Sequence, residues 1–132
     1  MKGLVYEELT GKIIACAIEV HKTLGPGFLE SAYEAALSIE LRHAGLQVES
    51  QKLLPIMYRD ALVGEHRLDL LVENKIIVEL KAVFALEDFH FAIVRSYLKA
   101  AQLEHGLLIN FATMPLTVKR VIFEKRGFSP PS

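Results

Sequence analysis

The segment that most constrains the fold is residues 67–81, which read RLDLLVENKIIVELK. Two runs rich in Leu, Ile and Val flank the polar triplet Glu-Asn-Lys, and this pattern predicts two strands joined by a tight turn. Strands that are apolar almost throughout are typical of a sheet covered on both faces. The segment therefore predicts a central hairpin in an α/β domain rather than an all-helical bundle.

Four charged side chains interrupt these apolar runs. If residues 73–75 form the turn, Asp69 lies opposite Glu79 and Arg67 lies opposite Lys81 on the neighbouring strand. Because side chains alternate along a strand, all four then share one face of the hairpin. The opposite face is predicted to be apolar and to consist of Leu68, Leu70, Val78 and Leu80.

In this register Asp69 and Glu79 repel each other unless a cation lies between them. A hard divalent cation with oxygen ligands would supply that charge. The alternative is that Asp69 pairs with Arg67 and Glu79 pairs with Lys81 as solvated ion pairs, which are common and contribute little to stability. Apolar residues on the same face favour a partly buried charge cluster over that alternative.

Length and composition indicate a single domain, because 132 residues that are 52% hydrophobic are ample for one core. We expect the domain to span residues 1–126 and residues 127–132 to form a flexible tail. The formal net charge of -1 gives no global basic signature, so a nucleic-acid partner would depend on a metal ion and a local basic patch. The single cysteine, Cys16, and the lack of an apolar amino-terminal segment indicate a cytoplasmic protein without a membrane span.

Hydrophobic periodicity and turn residues predict three helices and five strands. The predicted helices cover residues 10–24, 28–44 and 89–105. The predicted strands cover residues 46–58, 63–72, 76–83, 107–111 and 118–124. The helix between the third and fourth strands is long enough for a crossover, which predicts a mixed sheet flanked by helices. The inner face of this helix is predicted to consist of Phe89, Ile93, Tyr97 and Ala100.

Three sequence motifs resemble those of one protein family. Residues 27–33, GFLESAY, contain the pattern G-x-x-E-x-x-Y. Asp69, followed ten residues later by the triplet Glu-Leu-Lys at 79–81, resembles a D…(D/E)-x-K signature. Residues 106–111, GLLINF, resemble the strand that follows the core helix. Together the motifs resemble the GxxExxY protein family of the PD-(D/E)xK nuclease-like superfamily, over residues 5–125.

The resemblance implies a restriction-endonuclease-like core with a central mixed sheet, and metal-dependent hydrolysis of phosphodiester bonds in nucleic acid. It implies that Glu30, Asp69 and Glu79 bind Mg²⁺ or Mn²⁺. Lys81 matches the lysine that orients the attacking water and stabilises the negative charge that develops on the phosphoryl group. These four residues are the catalytic residues that the resemblance implies.

The core helix departs from the family pattern His-Glu-Ala-Gln-x-x-x-Tyr-Leu-Lys. Residues 90–99 read HFAIVRSYLK, so Phe91 and Ile93 stand where the family usually has Glu and Gln. Gln102 does not substitute simply, since nine residues at about 100° each place it on the opposite side of the helix from Ile93. The resemblance therefore implies intact metal-binding acids and a missing polar neighbour, which predicts weak catalysis.

Three functions are compatible with these observations. The first is a Mg²⁺-dependent nuclease-like phosphodiesterase. The second is a nuclease-fold module that has lost catalysis and binds nucleic acid or protein. The third is a small-ligand or structural domain whose acids form only salt bridges. The sequence does not fix the oligomeric state, and a homo-oligomer is compatible with it.

Overall fold

The computed structural model describes residues 2–124, with side chains from residue 6 onward. Within that range the chain folds into a mixed five-stranded sheet flanked by three helices, as the sequence predicted. The elements in chain order are α1 (Lys2–Leu24), α2 (Glu30–His43), β1 (Val48–Tyr58), β2 (Ala61–Val72), β3 (Ile76–Lys81), α3 (Asp88–Ala101), β4 (His105–Asn110) and β5 (Thr117–Ile122).

The strands lie in the order β1-β2-β3-β4-β5. Neighbouring strands run antiparallel except β3 and β4, which pair in parallel. The parallel pair follows from α3, because a crossover helix returns the chain to the end of the sheet where β3 began. The predicted mixed sheet is confirmed, although α1 begins at Lys2 instead of residue 10.

Helices cover both faces of the sheet, and each face has its own hydrophobic cluster. Helices α1 and α2 pack over the face that includes Leu70 and Val78, which we call the α1–α2 cluster. Helix α3 packs over the face that includes Leu71 and Ile77, which we call the α3 cluster. Residues 76–80 of β3, between the two clusters, are all buried. The near-continuous apolar character of this strand therefore reflects coverage on both faces.

The alternation of side chains along β2 breaks at Asp69. The pairing of β1 with β2 passes directly from Leu70 to Leu68, skipping Asp69 and Gln51 of β1. Gln51 has a left-handed backbone with φ of 53°, which costs a non-glycine residue on the order of 1 kcal/mol. Leu70 joins the α1–α2 cluster, whereas Leu68 joins the α3 cluster. The prediction that Leu68 shares a face with Leu70 is wrong, because this irregularity interrupts the alternation.

Helix α3 is rotated relative to the predicted orientation. Its buried residues are His90, Val94 and Leu98. Phe89 is 56% exposed and Ile93 is 36% exposed, so the predicted inner face is wrong for both, whereas Tyr97 does pack against the α3 cluster. His90 is buried although it is polar, because its Nδ1 accepts a hydrogen bond from the Glu87 N–H at 2.8 Å. The apolar residues on both sides of this helix permit either rotation.

Two predictions concern parts of the chain beyond the described range. The tail predicted for residues 127–132 lies outside the described residues. The domain predicted for residues 1–126 also extends past them at its carboxyl end.

Among residues 2–124, no helix is both long enough and apolar enough to cross a membrane.

Asn110, at the end of β4, holds the segment that follows β3. Its side chain is fully buried. Its Oδ1 accepts hydrogen bonds from the Val83 N–H at 3.1 Å and the Ala112 N–H at 3.2 Å, and its Nδ2 donates to the Val83 carbonyl at 2.9 Å. The Phe111 N–H donates to the Lys81 carbonyl at 2.8 Å. The chain that leaves β3 after Lys81 is therefore fixed against β4.

We expect Asn110→Ala to lower the free energy of unfolding by about 2 kcal/mol, because truncation leaves buried backbone groups without partners. Equilibrium unfolding in urea measures this loss. Gln47→Ala, which shortens an exposed amide, is the control and should change stability by less than about 0.5 kcal/mol. Equal effects of the two substitutions would contradict the role assigned to Asn110.

Candidate active site

Glu79 and Lys81 lie two residues apart at the carboxyl end of β3, so their side chains project to the same side. Glu79 is buried, with 5% of its surface exposed. Its Oε2 lies 3.7 Å from the Lys81 Nζ. Its Oε1 is buried without a hydrogen-bond partner among the described residues. An unpaired buried carboxylate oxygen is costly, which makes Glu79 the centre of the candidate site.

Asp69 reaches the same end of β3 from β2. The predicted turn at residues 73–75 is present, and the β2–β3 ladder extends from this turn to the pair of Leu70 with Val78. At the next position, the Asp69 Oδ2 accepts a hydrogen bond from the Leu80 N–H at 2.9 Å. The carboxylate thus takes a strand N–H as its partner, which holds this acid next to Glu79.

Arg67 lies outside this arrangement. Its side chain is exposed, and its backbone pairs with Leu53 of β1. The predicted position of Arg67 opposite Lys81 is wrong, because the β2–β3 ladder covers only the three pairs nearest the turn.

Glu30 is brought to the end of β3 by the loop that precedes α2. Gly27 has φ of 116°, which glycine adopts without strain. The Tyr33 hydroxyl donates a hydrogen bond to the Gly25 carbonyl, which ties the loop to the first turns of α2. The Glu30 Oε2 then accepts a hydrogen bond from the Ala82 N–H at 3.2 Å. The spacing of the G-x-x-E-x-x-Y pattern therefore has a structural basis: the tyrosine fixes the loop and the glutamate reaches β3.

The electrostatics of the site favour an added positive charge. Burial is the main cause that raises the pKa of Glu79 to about 8, and the charge of Asp69 is the second cause. Lys81 lowers this pKa. Burial also raises the pKa of Asp69; the Leu80 N–H and Lys81 oppose this rise, and the charge of Glu30 adds to it. One lysine does not compensate several neighbouring carboxylates, so a cation bound between them would stabilise their ionised forms.

Tyr97 of α3 borders the site, and sequence reasoning assigned it no role beyond packing. Burial, and then the charges of Glu79 and Asp69, raise the pKa of Tyr97 to about 12. Its ring meets the ring of His66 edge-on, with centroids 4.5 Å apart. Ile93 lies one turn before Tyr97 on the same side of α3. The sequence signal that could have placed Tyr97 at the site is the tyrosine of the family's core-helix pattern, which Tyr97 matches.

Glu34 and Gln51 are two further polar residues beside Asp69 that sequence reasoning missed. Glu34 lies one turn after Glu30 on α2, and the Gln51 Nε2 donates a hydrogen bond to the Glu34 Oε1 at 2.7 Å. Burial, and next the charge of Asp69, raises the pKa of Glu34, whereas the hydrogen bond from Gln51 lowers it. The i, i+4 spacing of Glu30 and Glu34 was a signal for Glu34. Nothing in the sequence signalled Gln51.

The carboxylates fit a divalent cation only in part as they stand. Among the described side chains, no group of three or more His, Cys, Asp or Glu residues is arranged to hold a metal ion. Asp69 and Glu79 offer two neighbouring carboxylates, the ligands that Mg²⁺ and Mn²⁺ prefer. The Glu79 Oε1 accepts no hydrogen bond from the described residues. Glu30 accepts the Ala82 N–H at its Oε2, and a carboxylate that accepts one hydrogen bond keeps further lone pairs, so Glu30 could still add a third ligand.

Comparison with known proteins identifies the family. A family model described as the PD-(D/E)XK nuclease superfamily matches residues 7–121. The chain belongs to the PD-(D/E)XK nuclease superfamily. The crystal structure of SSO0001 has a similar fold, with a TM-score of 0.56 and 17% sequence identity, over 74% of this chain and 53% of the SSO0001 chain. The chain thus spans about half the length of that protein. None of the curated proteins matches the sequence.

We expect the metal-free protein to lose stability as the pH rises from about 5 to about 8. Unfolded Glu79 releases its proton near the ordinary pKa of 4.5, whereas folded Glu79 keeps it until the pH approaches its raised pKa of about 8. Between these values the folded state binds more protons than the unfolded state. The free energy of unfolding therefore falls by up to about 1.4 kcal/mol for each pH unit in this window.

Urea unfolding across this pH range in EDTA measures the effect. Glu79→Gln should flatten the profile and raise stability at the alkaline end, because the glutamine does not ionise. Glu65→Gln, a change at an exposed position of β2, should retain the wild-type slope. A wild-type slope equal to that of Glu79→Gln would contradict the raised pKa of Glu79.

Proposed function

We propose that this protein is a divalent-metal-dependent phosphodiesterase that cleaves nucleic acid. Superfamily membership supports a nuclease-like function. The observation that carries the proposal is a pair of acids beside Lys81: buried Glu79, whose Oε1 is unpaired among the described residues, and half-buried Asp69. A purely structural buried ion pair is stabilising only when the remaining lone pairs are satisfied. An excess of carboxylate over cation is instead what a metal site requires.

Mg²⁺ or Mn²⁺ is the cofactor that this set of donors fits. Asp69 and Glu79 would hold the ion, and Glu30 would join them from the start of α2. When bound, the ion supplies charge neutralisation and an activated water for attack on phosphorus. With a positive charge beside it, Glu79 would ionise at neutral pH, because an opposite charge lowers the pKa of a carboxyl group. Members of this superfamily generally use divalent metals.

Lys81 is the residue that we propose to act on the reacting atoms. Its ammonium group is partly buried and lies 3.7 Å from the Glu79 Oε2, so its position is fixed by the acid. An ammonium group has three N–H donors and no acceptor. It can therefore orient the attacking water and a non-bridging phosphate oxygen at the same time. As the phosphoryl group gains negative charge, Lys81 stabilises that charge without competing for the metal ligands.

A groove next to the site offers a place for the substrate strand. It has a volume of about 450 Å³ and is bounded by β1, β2 and α3. Its polar lining residues are His66, Ser96 and Lys99, and its apolar ones include Pro55, Ile56 and Met57. His66, which lines the groove, contacts Tyr97, and Tyr97 is near enough to Glu79 for the charge of that acid to raise the tyrosine pKa. A local cation such as Lys99 lets a protein of net charge -1 contact phosphates.

A second function, a module that binds nucleic acid or protein without cleaving it, is favoured by Ile93. This residue is 36% exposed and lies one turn from Tyr97. The proteins that the core helix resembles commonly have glutamine there. Without that amide, the water or Lys81 would be positioned less well, and loss of positioning lowers rates strongly. In this alternative the metal still binds and cleavage is absent.

Within the superfamily, we propose that this chain belongs to the GxxExxY protein family. Two residues of the family pattern make specific contacts in this chain, which supports the proposal. The Tyr33 hydroxyl donates a hydrogen bond to the Gly25 carbonyl, and the Glu30 carboxylate accepts one from the Ala82 N–H. A pattern that only capped a helix would not need the tyrosine six residues after Gly27.

We expect Asp69→Ala and Glu79→Ala each to lower metal-dependent cleavage by ~100-fold or more, because each removes a ligand from the charge-stabilising group. Initial rates on single- and double-stranded DNA and RNA, with Mg²⁺ or Mn²⁺ against EDTA, test this. Glu65→Ala, at an exposed position of β2, should cleave at the wild-type rate. Cleavage that persists in EDTA, or in Asp69→Ala, would indicate a contaminant or a different site.

The companion substitution Ile93→Gln should leave the rate unchanged or raise it, because the new amide would extend from the same side of α3 as Tyr97 towards Lys81 or the water. A clear loss of rate in a variant that unfolds at the wild-type urea concentration would contradict this reading of α3. Metal binding without cleavage of any nucleic acid, in both the wild type and Ile93→Gln, would favour the binding module over the enzyme.

A further inference from the structure

Gln51 has an unusual backbone for a residue inside a strand. Its φ of 53° lies in the left-handed region, although the residue is within β1. Among the described residues, the other non-glycine residues with positive φ lie in turns or at the end of α3: Arg59, Asp60, Glu73, Asn74 and Gln102. Non-glycine residues held in this region within regular structure are found preferentially at functional sites.

The side chain of Gln51 connects two acids that come from different elements. Its Nε2 donates a hydrogen bond to the Glu34 Oε1 of α2 at 2.7 Å. Gln51 also stands opposite Asp69 in the β1–β2 register, between the Ser50–Leu70 and Lys52–Leu68 pairs, and its amide lowers the pKa of Asp69. An amide NH₂ group has two N–H donors, so one glutamine can serve both carboxylates.

With Gln51 in place, the Asp69 carboxylate has polar neighbours on two strands. The Leu80 N–H of β3 donates to its Oδ2 at 2.9 Å, and the Gln51 amide approaches from β1. Polar neighbours on both flanking strands restrict the rotation of the carboxylate group. In metal sites, such outer partners orient the ligand atoms, and their loss typically weakens metal binding by about 10- to 100-fold.

Maintaining the backbone does not account for the glutamine side chain at this position. Glycine adopts a left-handed φ without strain, so the backbone alone would favour glycine at residue 51. Gln51 is exposed, and its hydrogen bond with Glu34 is exposed as well. Exposed polar contacts of this kind contribute little to stability. The side chain is therefore better explained by what it does to Asp69 and Glu34.

We propose that Gln51 is a positioning residue of the active site, which orients the Asp69 carboxylate towards the bound cation and holds the Glu34 carboxylate away from it. This inference rests on the proposed metal-dependent function of Asp69 and Glu79. Gln51 does not contact the reacting atoms; it acts through Asp69. It would also connect β1, the edge strand of the sheet, to the chemistry at the end of β3.

Mn²⁺ binding and thermal stability, measured on the same variants, test this inference. Gln51→Gly removes the amide and relieves the backbone strain, so the melting temperature should stay the same or rise while the Mn²⁺ Kd rises about 10-fold. Gln51→Met keeps the length of the side chain and lacks the donor, and it should weaken Mn²⁺ binding to a similar extent. A residue with a purely structural role would not weaken binding while leaving the melting temperature intact.

Gln102→Gly is the matched control, because Gln102 has φ of 57° at the end of α3. It should gain stability as Gln51→Gly does and bind Mn²⁺ like the wild type. A wild-type Kd in both Gln51 variants, or a loss of affinity accompanied by a lower melting temperature, would overturn the positioning role. Failure of the wild type to bind Mn²⁺, or binding that survives Asp69→Ala, would instead overturn the proposed function, and this inference with it.

Discussion

The rest of the structure depends on one constraint: buried Glu79 and half-buried Asp69 lie close together in a sheet that helices cover on both faces. Glu79 belongs to β3, which lies between the α1–α2 cluster and the α3 cluster. Water therefore has little access to its carboxyl group, and burial raises its pKa to about 8. Lys81 and a hydrogen bond from the Asp69 backbone N–H offset part of this cost. A divalent cation between the acids would offset the remainder, which links the stability of the fold to its chemistry.

Several residues around this centre hold the acids in place, and each acts from a different element. Tyr33 fixes the loop before α2, and that loop sets the position of Glu30. Asn110 fixes the chain just after Lys81. Gln51 joins β1 to the same place at the expense of a strained backbone. A rigid arrangement of this kind reduces the reorganisation needed when a charge binds or develops.

The sequence predicted the features that depend on local pattern, and it failed where distant contacts decide. Loop length and apolar runs predicted the turn at residues 73–75 and the β2–β3 pairing, because strand register follows directly from both. The face of Leu68 was mispredicted, because the irregularity at Gln51 lies on another strand. The rotation of α3 was mispredicted, because burial of His90 depends on its hydrogen bond with Glu87. The convergence of Glu34 with Asp69 arises only when α2 packs against the sheet.

Crystals of the protein soaked in Mn²⁺ test the central claim most directly, because anomalous scattering locates the ion without reference to activity. The account predicts an anomalous peak at about 2.2 Å from carboxylate oxygens of both Asp69 and Glu79, with the Glu79 Oε1 among the ligands. A peak that lies elsewhere on the protein, while Glu79 stays paired with Lys81 alone, would contradict it.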